Sequence, residues 1–294
     1  MKKRTKLLCL LLVFIVILSA CGTKSNQKHD DGQSEGHNYK RIISLMPSNT
    51  EILYELGLGD DVIGVSTVDD YPKEVKDKKQ FDAMNLNKES LMKAKPDLIL
   101  AHESQKATND KVLKGLKDNG VKVVYVKDAQ SIDEMYESFM QIGKVTHKEK
   151  ASKKLVKETK QNIERVKNSV PNDAKGQKVF MEISSEPEIY TAGKQTFFDD
   201  MLTQLKAKNS FSNLNGWQKV SKEDIIKQNP DLMISTMGVS SSEYQKMIRK
   251  RGGFSQIKAV QNNKIKAVNG DEISRPGPRI DDGLKKLKEA IYEQ

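Results

Sequence analysis

The chain has 294 residues, enough for two domains of ordinary size, and its formal net charge is +10. The charge is spread along Lys/Glu-rich segments instead of being gathered in one basic block with interleaved aromatic residues, which argues against nucleic-acid binding. Two cysteines are present, Cys9 and Cys21.

The N-terminus has the composition of a signal peptide. Basic residues at positions 2–6 precede an apolar run from Leu7 to Leu18 that is too short to span a bilayer. The next residues, Ser19-Ala20-Cys21, resemble the end of a bacterial lipobox, in which the cysteine is lipidated. We predict a signal peptide over residues 1–20 and lipidation of Cys21 at the extracytoplasmic face of the bacterial cell membrane. Removal of the signal peptide also removes Cys9, so no thiol is left for a disulfide, a nucleophile or a cysteine-ligated metal.

A polar segment follows the lipobox. Between Thr23 and Asn38 there is no apolar residue, so this stretch cannot bury a core. We predict that residues 21–38 form a flexible tether.

The first half, residues 39–144, alternates strand-like and helix-like segments. Arg41–Met46 is typical of a strand, and Ser48-Asn49-Thr50-Glu51 has the pattern of a capping box that opens a short helix. Further strands are predicted at 61–65, 98–101 and 121–126, with helices between them. This alternation indicates a parallel sheet covered by helices, whose ligands bind at the carboxyl ends of the strands.

The second half, residues 172–294, repeats part of the first. Ser221–Ile234 aligns with Asn87–Leu100, since each has a cap residue, Lys-Glu, an amphipathic helix, Pro-Asp-Leu and an apolar strand. Tyr190–Lys194 is predicted to be a loop, and Trp217 is expected to project from another loop.

The sequence pattern of residues 146–170 predicts one long helix between the two halves. Its apolar residues form one narrow stripe, and Pro171 follows its end. About 23 residues give a rod of roughly 35 Å. An ordinary surface helix would have the same pattern, but the repeat on either side favours a connecting role. We predict an α/β fold with two parallel-sheet, Rossmann-like lobes, residues 39–144 and 172–294, joined by a single helix over 145–171, with a ligand cleft between the lobes.

The candidate ligand contacts are the residues that the predicted strands, helices and loops place around this cleft. They are Pro47, Ser48, Asn49, Thr50, Tyr71, Phe81, Met84, His102, Tyr190, Trp217, Asp271 and Arg275. Trp217 has polar neighbours, which favours the pocket over the core, whereas Phe81 and Tyr190 fit either environment. Arg275 opens a stiff Arg-Pro-Gly-Pro-Arg loop and either faces a ligand or is solvated. Large aromatic faces with few polar groups suit a bulky, flat or amphipathic small molecule.

Two glutamates hold equivalent positions in the repeat. Glu89 and Glu223 each lie in the first turn of a predicted helix, where a carboxylate stabilises the helix dipole by about 0.3–1 kcal/mol. Matching carboxylates on two lobes can also bind one partner with twofold symmetry.

Catalytic and metal chemistry has few candidates. The sequence lacks Gly-x-Ser-x-Gly, a P-loop, Gly-x-Gly-x-x-Gly and a His-x-x-x-His pair. His102-Glu103 can be interpreted as an acid/base pair, but adjacent residues at a strand end usually point apart. We therefore predict no enzyme activity, no catalytic residue, no metal site and no resident cofactor.

Several motifs, in order, resemble the iron–siderophore and vitamin B12 class of ABC-transporter substrate-binding proteins, and most of all its cobalamin-binding members. They are RIISLMPSNTE at 41–51, DYP at 70–72, MNL at 84–86, KPDL at 95–98, Trp217 with VSKE at 220–223, and RPGPR at 275–279. The resemblance implies two α/β lobes with modest hinge closure and delivery of the ligand to an ABC permease dimer with its ATPase.

The resemblance also implies residue roles. Glu89 and Glu223 stand where the family docks on permease arginines, and the family's ligand contacts fall on Trp217, Asp271, Arg275 and the loop at 47–50. Where the cobalamin binders have further tryptophans, this chain has Phe81 and His102. It therefore offers fewer large aromatic side chains to contact a corrin ring.

We therefore expect a monomeric, lipid-anchored substrate-binding protein that captures cobalamin or a related corrinoid. The alternative ligand is a ferric siderophore or haem. An anionic siderophore needs inward-facing bases, for which the sequence offers Lys194, Arg249, Arg251, Arg275 and Arg279. An adhesion lipoprotein would bind no small ligand and would tolerate changes at Glu89 and Glu223, and an enzyme would lose turnover on His102→Ala.

Overall fold

The computed structural model of the protein describes residues 38–174 and 176–293. The predicted signal peptide, Cys21 and most of the predicted tether lie outside these residues. Among the helices of the described ranges, none combines the length and the hydropathy that crossing a bilayer requires.

The N-terminal lobe is built on a five-stranded parallel sheet. Its strands are β1 (Ile42–Ser44), β2 (Val62–Ser66), β3 (Lys79–Phe81), β4 (Leu98–His102) and β5 (Lys122–Val126). Its helices are α1 (Pro47–Glu55), α2 (Lys88–Lys93), α3 (Lys106–Lys117) and α4 (Ile132–Val145). The strand order is β3-β2-β1-β4-β5. The order changes direction between β1 and β4, and open α/β sheets bind ligands at such a point, beyond the carboxyl ends of the strands.

The start of α1 differs from the prediction. The helix begins at Pro47, its N-cap residue is Met46, and no side chain caps it, so the capping box predicted for Ser48–Glu51 is wrong. Proline is favourable at the first helical position because the N–H that it lacks has no partner in the helix there. Ser48, Asn49 and Thr50 consequently lie inside the first turns of α1, where they are buried.

The long connecting helix, α5, spans Glu149–Asn168. It starts three residues later than predicted because α4 continues to Val145 and a turn separates the two helices. A Cβ atom at Gly143 would lie 2.2 Å from the Ser152 hydroxyl, so the glycine allows α4 and α5 to pack closely.

The C-terminal lobe carries a second, mixed sheet. Its strands are β6 (Lys178–Ser184), β7 (Tyr190–Ala192), β8 (Lys208–Asn209), β9 (Trp217–Lys219), β10 (Leu232–Ser235) and β11 (Ile265–Ala267). Its helices are α6 (Phe197–Gln204), α7 (Lys222–Gln228), α8 (Ser241–Lys250), α9 (Lys258–Gln261), α10 (Gly270–Ser274) and α11 (Ile280–Tyr292). The order is β11-β10-β6-β7-β9, with β8 beside the start of β6.

Two strands of this sheet, β7 and β9, occur where the sequence predicted loops. β7 and β9 run antiparallel to their neighbours, so Tyr190 and Trp217 lie in strands and the predicted loops at these positions are wrong. Each strand has only three residues, too few for a periodic pattern to appear in the sequence.

The predicted repeat has equivalent backbone geometry in the two lobes. The residue before the proline, Lys95 in one copy and Asn229 in the other, has a left-handed conformation, with φ of 49° and 46°. The following aspartate accepts a hydrogen bond from a backbone N–H at the start of the first strand of its lobe, at 3.1 Å for Asp97 and 3.0 Å for Asp231. The same turn and the same bracing contact therefore occur twice.

The largest hydrophobic cluster joins the lobes. It contains Ile42 of the first sheet, Val179 of the second, Leu155 and Ile163 of α5, and Leu284 of α11. The described residues belong to one compact unit, so the lobe limits predicted at residues 144 and 172 stay predictions.

A buried ion pair lies within the C-terminal lobe. Glu182 of β6 is fully buried and accepts hydrogen bonds from Arg251 at 2.8 and 2.5 Å and from the Tyr244 hydroxyl at 2.8 Å. Arg251 also donates to the Ser185 hydroxyl at 2.7 Å. The pair fixes the loop that leaves the carboxyl end of β6.

Candidate ligand-binding site

A pocket of about 370 Å³ lies at the carboxyl ends of β6, β10 and β11. Its lining combines apolar side chains with polar loop residues: Ile183, Phe198, Trp217, Thr236, Met237, Gly238, Asn269, Gly270, Asp271 and Ser274. The Trp217 ring meets the buried Phe198 ring edge to face, with centroids 5.5 Å apart. A Cβ atom at Gly270 would lie 2.2 Å from the Thr236 carbonyl oxygen, so the pocket depends on this glycine. The predicted contacts Trp217 and Asp271 are thus brought together.

Four large apolar side chains are exposed among the described residues, and all belong to segments beside the carboxyl ends of the parallel strands or to the pocket. They are Val68 (64% exposed), Tyr71 (40%), Met84 (70%) and Trp217 (47%). We call these four residues the apolar rim. Val68 was missed by the sequence reasoning, although it lies two residues after β2 and satisfies the strand-end criterion that selected Tyr71 and Met84.

Several predicted contacts are buried instead of facing the cleft. The Thr50 hydroxyl donates to Ser44 at 2.8 Å, and the Asn49 amide donates to the Ala101 carbonyl at 3.4 Å. Pro47 and Ser48 are also buried, and Phe81 is in the core of the N-terminal lobe. These side chains therefore present almost no surface to a ligand. Tyr190 is half-buried in β7.

His102 ends β4 at the switch point of the first sheet. Its Nδ1 is 2.8 Å from the Ser104 hydroxyl and its Nε2 is 3.7 Å from Asp128. Burial lowers the pKa of His102, and the neighbouring carboxylates of Asp128 and Glu103 oppose this only in part, so the ring is neutral at pH 7. Glu103 forms no acid/base pair with it, because its carboxylate accepts from Lys106 at 3.1 Å.

Arg275 is engaged by protein acceptors. Its guanidinium contacts the Asp70 carboxylate, lies 3.1 Å from Asp271 and donates to the Val68 carbonyl at 3.3 Å. Its side chain is only 12% exposed. The donors that were expected to meet a ligand are therefore used within the protein.

Arg279 and Glu51 form a second ion pair beside Arg275. The sequence offered Arg279 as a base for an anionic siderophore and gave Glu51 no role in the site. Arg279 holds Glu51 through two nitrogens, at 3.0 and 2.6 Å, and its guanidinium lies 3.8 Å from the centre of the Tyr71 ring. The Glu51 carboxylate is 2% exposed. We call Arg275 and Arg279 with Glu51, Asp70 and Asp271 the arginine cluster.

The other bases proposed for an anionic ligand lie elsewhere. Arg251 belongs to the buried pair with Glu182, and Arg249 contacts Asn263. Lys194 lines a separate cavity with Lys178 and Lys208, beside the amino end of β6.

Glu89 and Glu223 are exposed in the first turns of α2 and α7. Within residues 38–174 and 176–293, neither carboxylate has a hydrogen bond or ion pair. The caps are made by other residues: Asn87 accepts from the Ser90 N–H at 2.8 Å, and Ser221 caps α7 together with Asp224. Both glutamates are therefore free to bind a partner.

The comparison with known proteins identifies the family. The sequence profile described as "periplasmic binding protein" matches residues 42–271. The chain belongs to the periplasmic binding protein family. It is 40% identical over 312 aligned residues to an uncharacterized ABC transporter substrate-binding lipoprotein, YvrC, of Bacillus subtilis strain 168, covering 99% of this chain and 98% of that protein. It is 28% identical over 244 residues to the vitamin B12-binding protein of Pectobacterium carotovorum, with 82% and 84% covered.

A solved structure shows the same fold. It is described as a possible iron-binding (periplasmic solute-binding) protein from Staphylococcus epidermidis ATCC 12228, is 67% identical, has a TM-score of 0.83, and covers 87% of this chain and 100% of that one. The predicted resemblance and the α/β fold class are confirmed. Periplasmic binding proteins bind solutes and are not enzymes.

Proposed function

We propose that this periplasmic binding protein is the lipid-anchored substrate-binding component of an ABC importer and that it captures cobalamin or a related corrinoid. The apolar rim, together with the pocket of the C-terminal lobe that Trp217 lines, carries the proposal. Trp217 is half exposed and held by Phe198, and Val68, Tyr71 and Met84 offer further apolar surface on the N-terminal lobe. Covering such surface with a large, flat ligand is favourable by about 25 cal/mol per Å² of apolar area removed from water.

The charge around the rim supports a ligand without a strongly anionic edge. Arg275 and Arg279 are already paired with Glu51, Asp70 and Asp271, so carboxylates outnumber guanidiniums in the arginine cluster. An incoming carboxylate would have to compete with these internal acceptors. The neutral amides on the edge of a corrin ring would not.

The alternative is a ferric siderophore or haem. It is favoured by the structure from Staphylococcus epidermidis, whose description names a possible iron-binding protein. The family covers both kinds of ligand, so the two proposals differ in the ligand and share the transport role.

Calorimetric titration of the full chain in detergent distinguishes the ligands. We expect cyanocobalamin to bind with a stoichiometry of one, and Trp217→Ala to weaken the affinity at least about tenfold, as truncation of a central aromatic contact does. Tyr292→Ala is the matched control, since Tyr292 is a half-buried aromatic residue at the end of α11 that donates to the Leu205 carbonyl. Binding of haem or a ferric siderophore with no response to cobalamin would reject the corrinoid and retain the transport role.

The proposed docking function of Glu89 and Glu223 is tested in cells. Glu89→Arg combined with Glu223→Arg should abolish uptake while the affinity for ligand is unchanged, because neither side chain lies at the rim. Glu149→Arg is the control, since Glu149 is also an exposed glutamate in the first turn of a helix, α5. Normal uptake by the double variant would reject the docking assignment.

The lipid anchor has its own test. Cys21→Ser should release the protein from the membrane fraction into the medium, measured by immunoblotting of both fractions. Retention of the variant in the membrane would contradict anchoring through Cys21.

A further inference from the structure

The arginine cluster connects two parts of the molecule that are far apart in sequence. Arg275 is separated from Asp70 by 205 residues, and Arg279 from Glu51 by 228. The arginines flank the loop between α10 and α11. Apart from Asp271 in α10, their acceptors belong to α1 and to the segment after β2. These contacts therefore cross from the C-terminal lobe to the N-terminal lobe, at the cleft.

The contacts hold the part of the N-terminal lobe that carries half of the apolar rim. Arg275 binds the carbonyl of Val68 and the carboxylate of Asp70, and Arg279 stacks on Tyr71. Val68 and Tyr71 are rim residues, so their positions relative to the pocket depend on two side chains of the other lobe.

The loop itself lies directly against α1. A Cβ atom at Gly277 would be 3.5 Å from the Glu51 carboxylate and 3.8 Å from the Ser48 Cα. Glu51 is almost fully buried. Its carboxylate oxygens contact Arg279, and one of them lies 3.9 Å from the Arg275 guanidinium. If the lobes separated here, a desolvated carboxylate would lose its counter-charges, which opposes separation.

We propose that Arg275 and Arg279 are positioning residues that latch the lobes together and fix Val68 and Tyr71 opposite the pocket before a ligand arrives. Neither arginine is a ligand contact, in contrast to the role that the family resemblance implies for Arg275. The effect on ligand affinity rests on the proposed function, since it requires the cleft to be the binding site. The effect on lobe separation does not. A latched rim needs no ordering when the ligand binds, which raises affinity by preorganisation.

The latch is tested first without any ligand, by measuring the distance between spin labels on the two lobes of the full chain. Labels at Asp118→Cys and Lys250→Cys, both exposed positions, are introduced with Cys9→Ser and Cys21→Ser, which removes the natural cysteines. Arg275→Gln with Arg279→Gln should broaden the distance distribution and shift it. Arg249→Gln, which changes an exposed arginine of α8 that contacts Asn263, should leave it unchanged.

Further variants keep the test decisive. If the double glutamine variant does not fold by circular dichroism, Asp70→Asn replaces it, because Asp70 is more than half exposed and its loss removes one side of the latch. Arg275→Lys, which keeps a positive charge beside Asp70, Asp271 and Glu51, should retain the narrow distribution that Arg275→Gln loses. An unchanged distribution in Arg275→Gln/Arg279→Gln or in Asp70→Asn overturns the proposal.

Ligand affinity supplies the second arm. Cyanocobalamin should bind about tenfold more weakly to Asp70→Asn and to Arg275→Gln alike. A loss confined to Arg275→Gln, with an unchanged distance distribution, would make Arg275 a ligand contact and overturn the proposal. If the unsubstituted chain does not bind cyanocobalamin, the corrinoid assignment fails, and the label distances still decide the latch.

Discussion

Truncation of Glu182 should destabilise the protein by about 3–5 kcal/mol. The carboxylate is buried and accepts two hydrogen bonds from Arg251 and one from Tyr244. Glu182→Ala leaves the buried guanidinium with only the half-exposed Glu186 carboxylate, 3.9 Å away, as counter-charge, and the Tyr244 hydroxyl without its acceptor. Since small domains are stable by about 5–15 kcal/mol, this loss is a large part of the total.

Urea titration followed by circular dichroism measures the effect. Replacing both partners with apolar residues, in Glu182→Leu/Arg251→Met, should recover most of the stability because no unpaired charge is left. Glu188→Ala is the control, since Glu188 pairs with Lys219 at 2.5 Å on the surface and its removal should hardly move the midpoint. A loss below about 1 kcal/mol in Glu182→Ala, or a double variant as unstable as the single one, would refute the reasoning.

Three further predictions concern local stability. Burial lowers the pKa of His102 from its ordinary value of about 6.5, so the unfolded chain binds the proton first and the unfolding free energy should decrease as pH falls below about 6.5. In urea titrations at several pH values, His102→Gln should remove this contribution to the pH dependence of the unfolding free energy. An unchanged pH dependence would contradict the assignment. Ser221→Ala should lower the free energy of unfolding by about 1 kcal/mol through loss of the α7 cap, whereas Glu223→Ala should change it by no more than about 0.5 kcal/mol. Thermal unfolding measures both variants, and equal losses would show that Glu223 has a structural role. Lys95→Asn gives the N-terminal lobe the same residue as Asn229 at the equivalent position of the C-terminal lobe. It should raise the free energy of unfolding by a few tenths to about 1 kcal/mol, because asparagine tolerates the left-handed conformation. A decrease in the melting temperature would contradict this.

Local patterns in the sequence predicted much of the fold. Asn87 and Ser221 cap α2 and α7 as expected, and β4 and β5 end within one residue of the strands predicted at 98–101 and 121–126. These features depend on neighbouring residues, so the sequence contains the information. The start of α1 depends instead on a contact between residues far apart in the sequence. Ser48 and Glu51 have capping-box spacing, but Glu51 binds Arg279, and no local signal identifies a partner 228 residues away.

The candidate site was predicted less completely for a related reason. Position after a strand places a residue near the cleft, but it does not say which way the side chain points. Phe81 and Met84 are three residues apart, yet the first is in the core and the second is 70% exposed. The sequence placed Arg275 near the cleft, whereas its engagement by Asp70 depends on how the lobes approach each other.

If Glu89 and Glu223 dock on a partner with twofold symmetry, as proposed above, their equivalent positions in the repeat have a kinetic consequence. A partner with twofold symmetry can meet Glu89 and Glu223 in two orientations related by half a turn, and each orientation presents a carboxylate to the same groups. Two productive encounters double the association rate constant, a statistical factor of roughly 0.4 kcal/mol. Any preference between the orientations then comes from residues around the glutamates, such as Lys222, which pairs with Glu186 at 2.5 Å beside Glu223. A chain with unequal halves would thereby approach a symmetric partner almost as if it were symmetric itself.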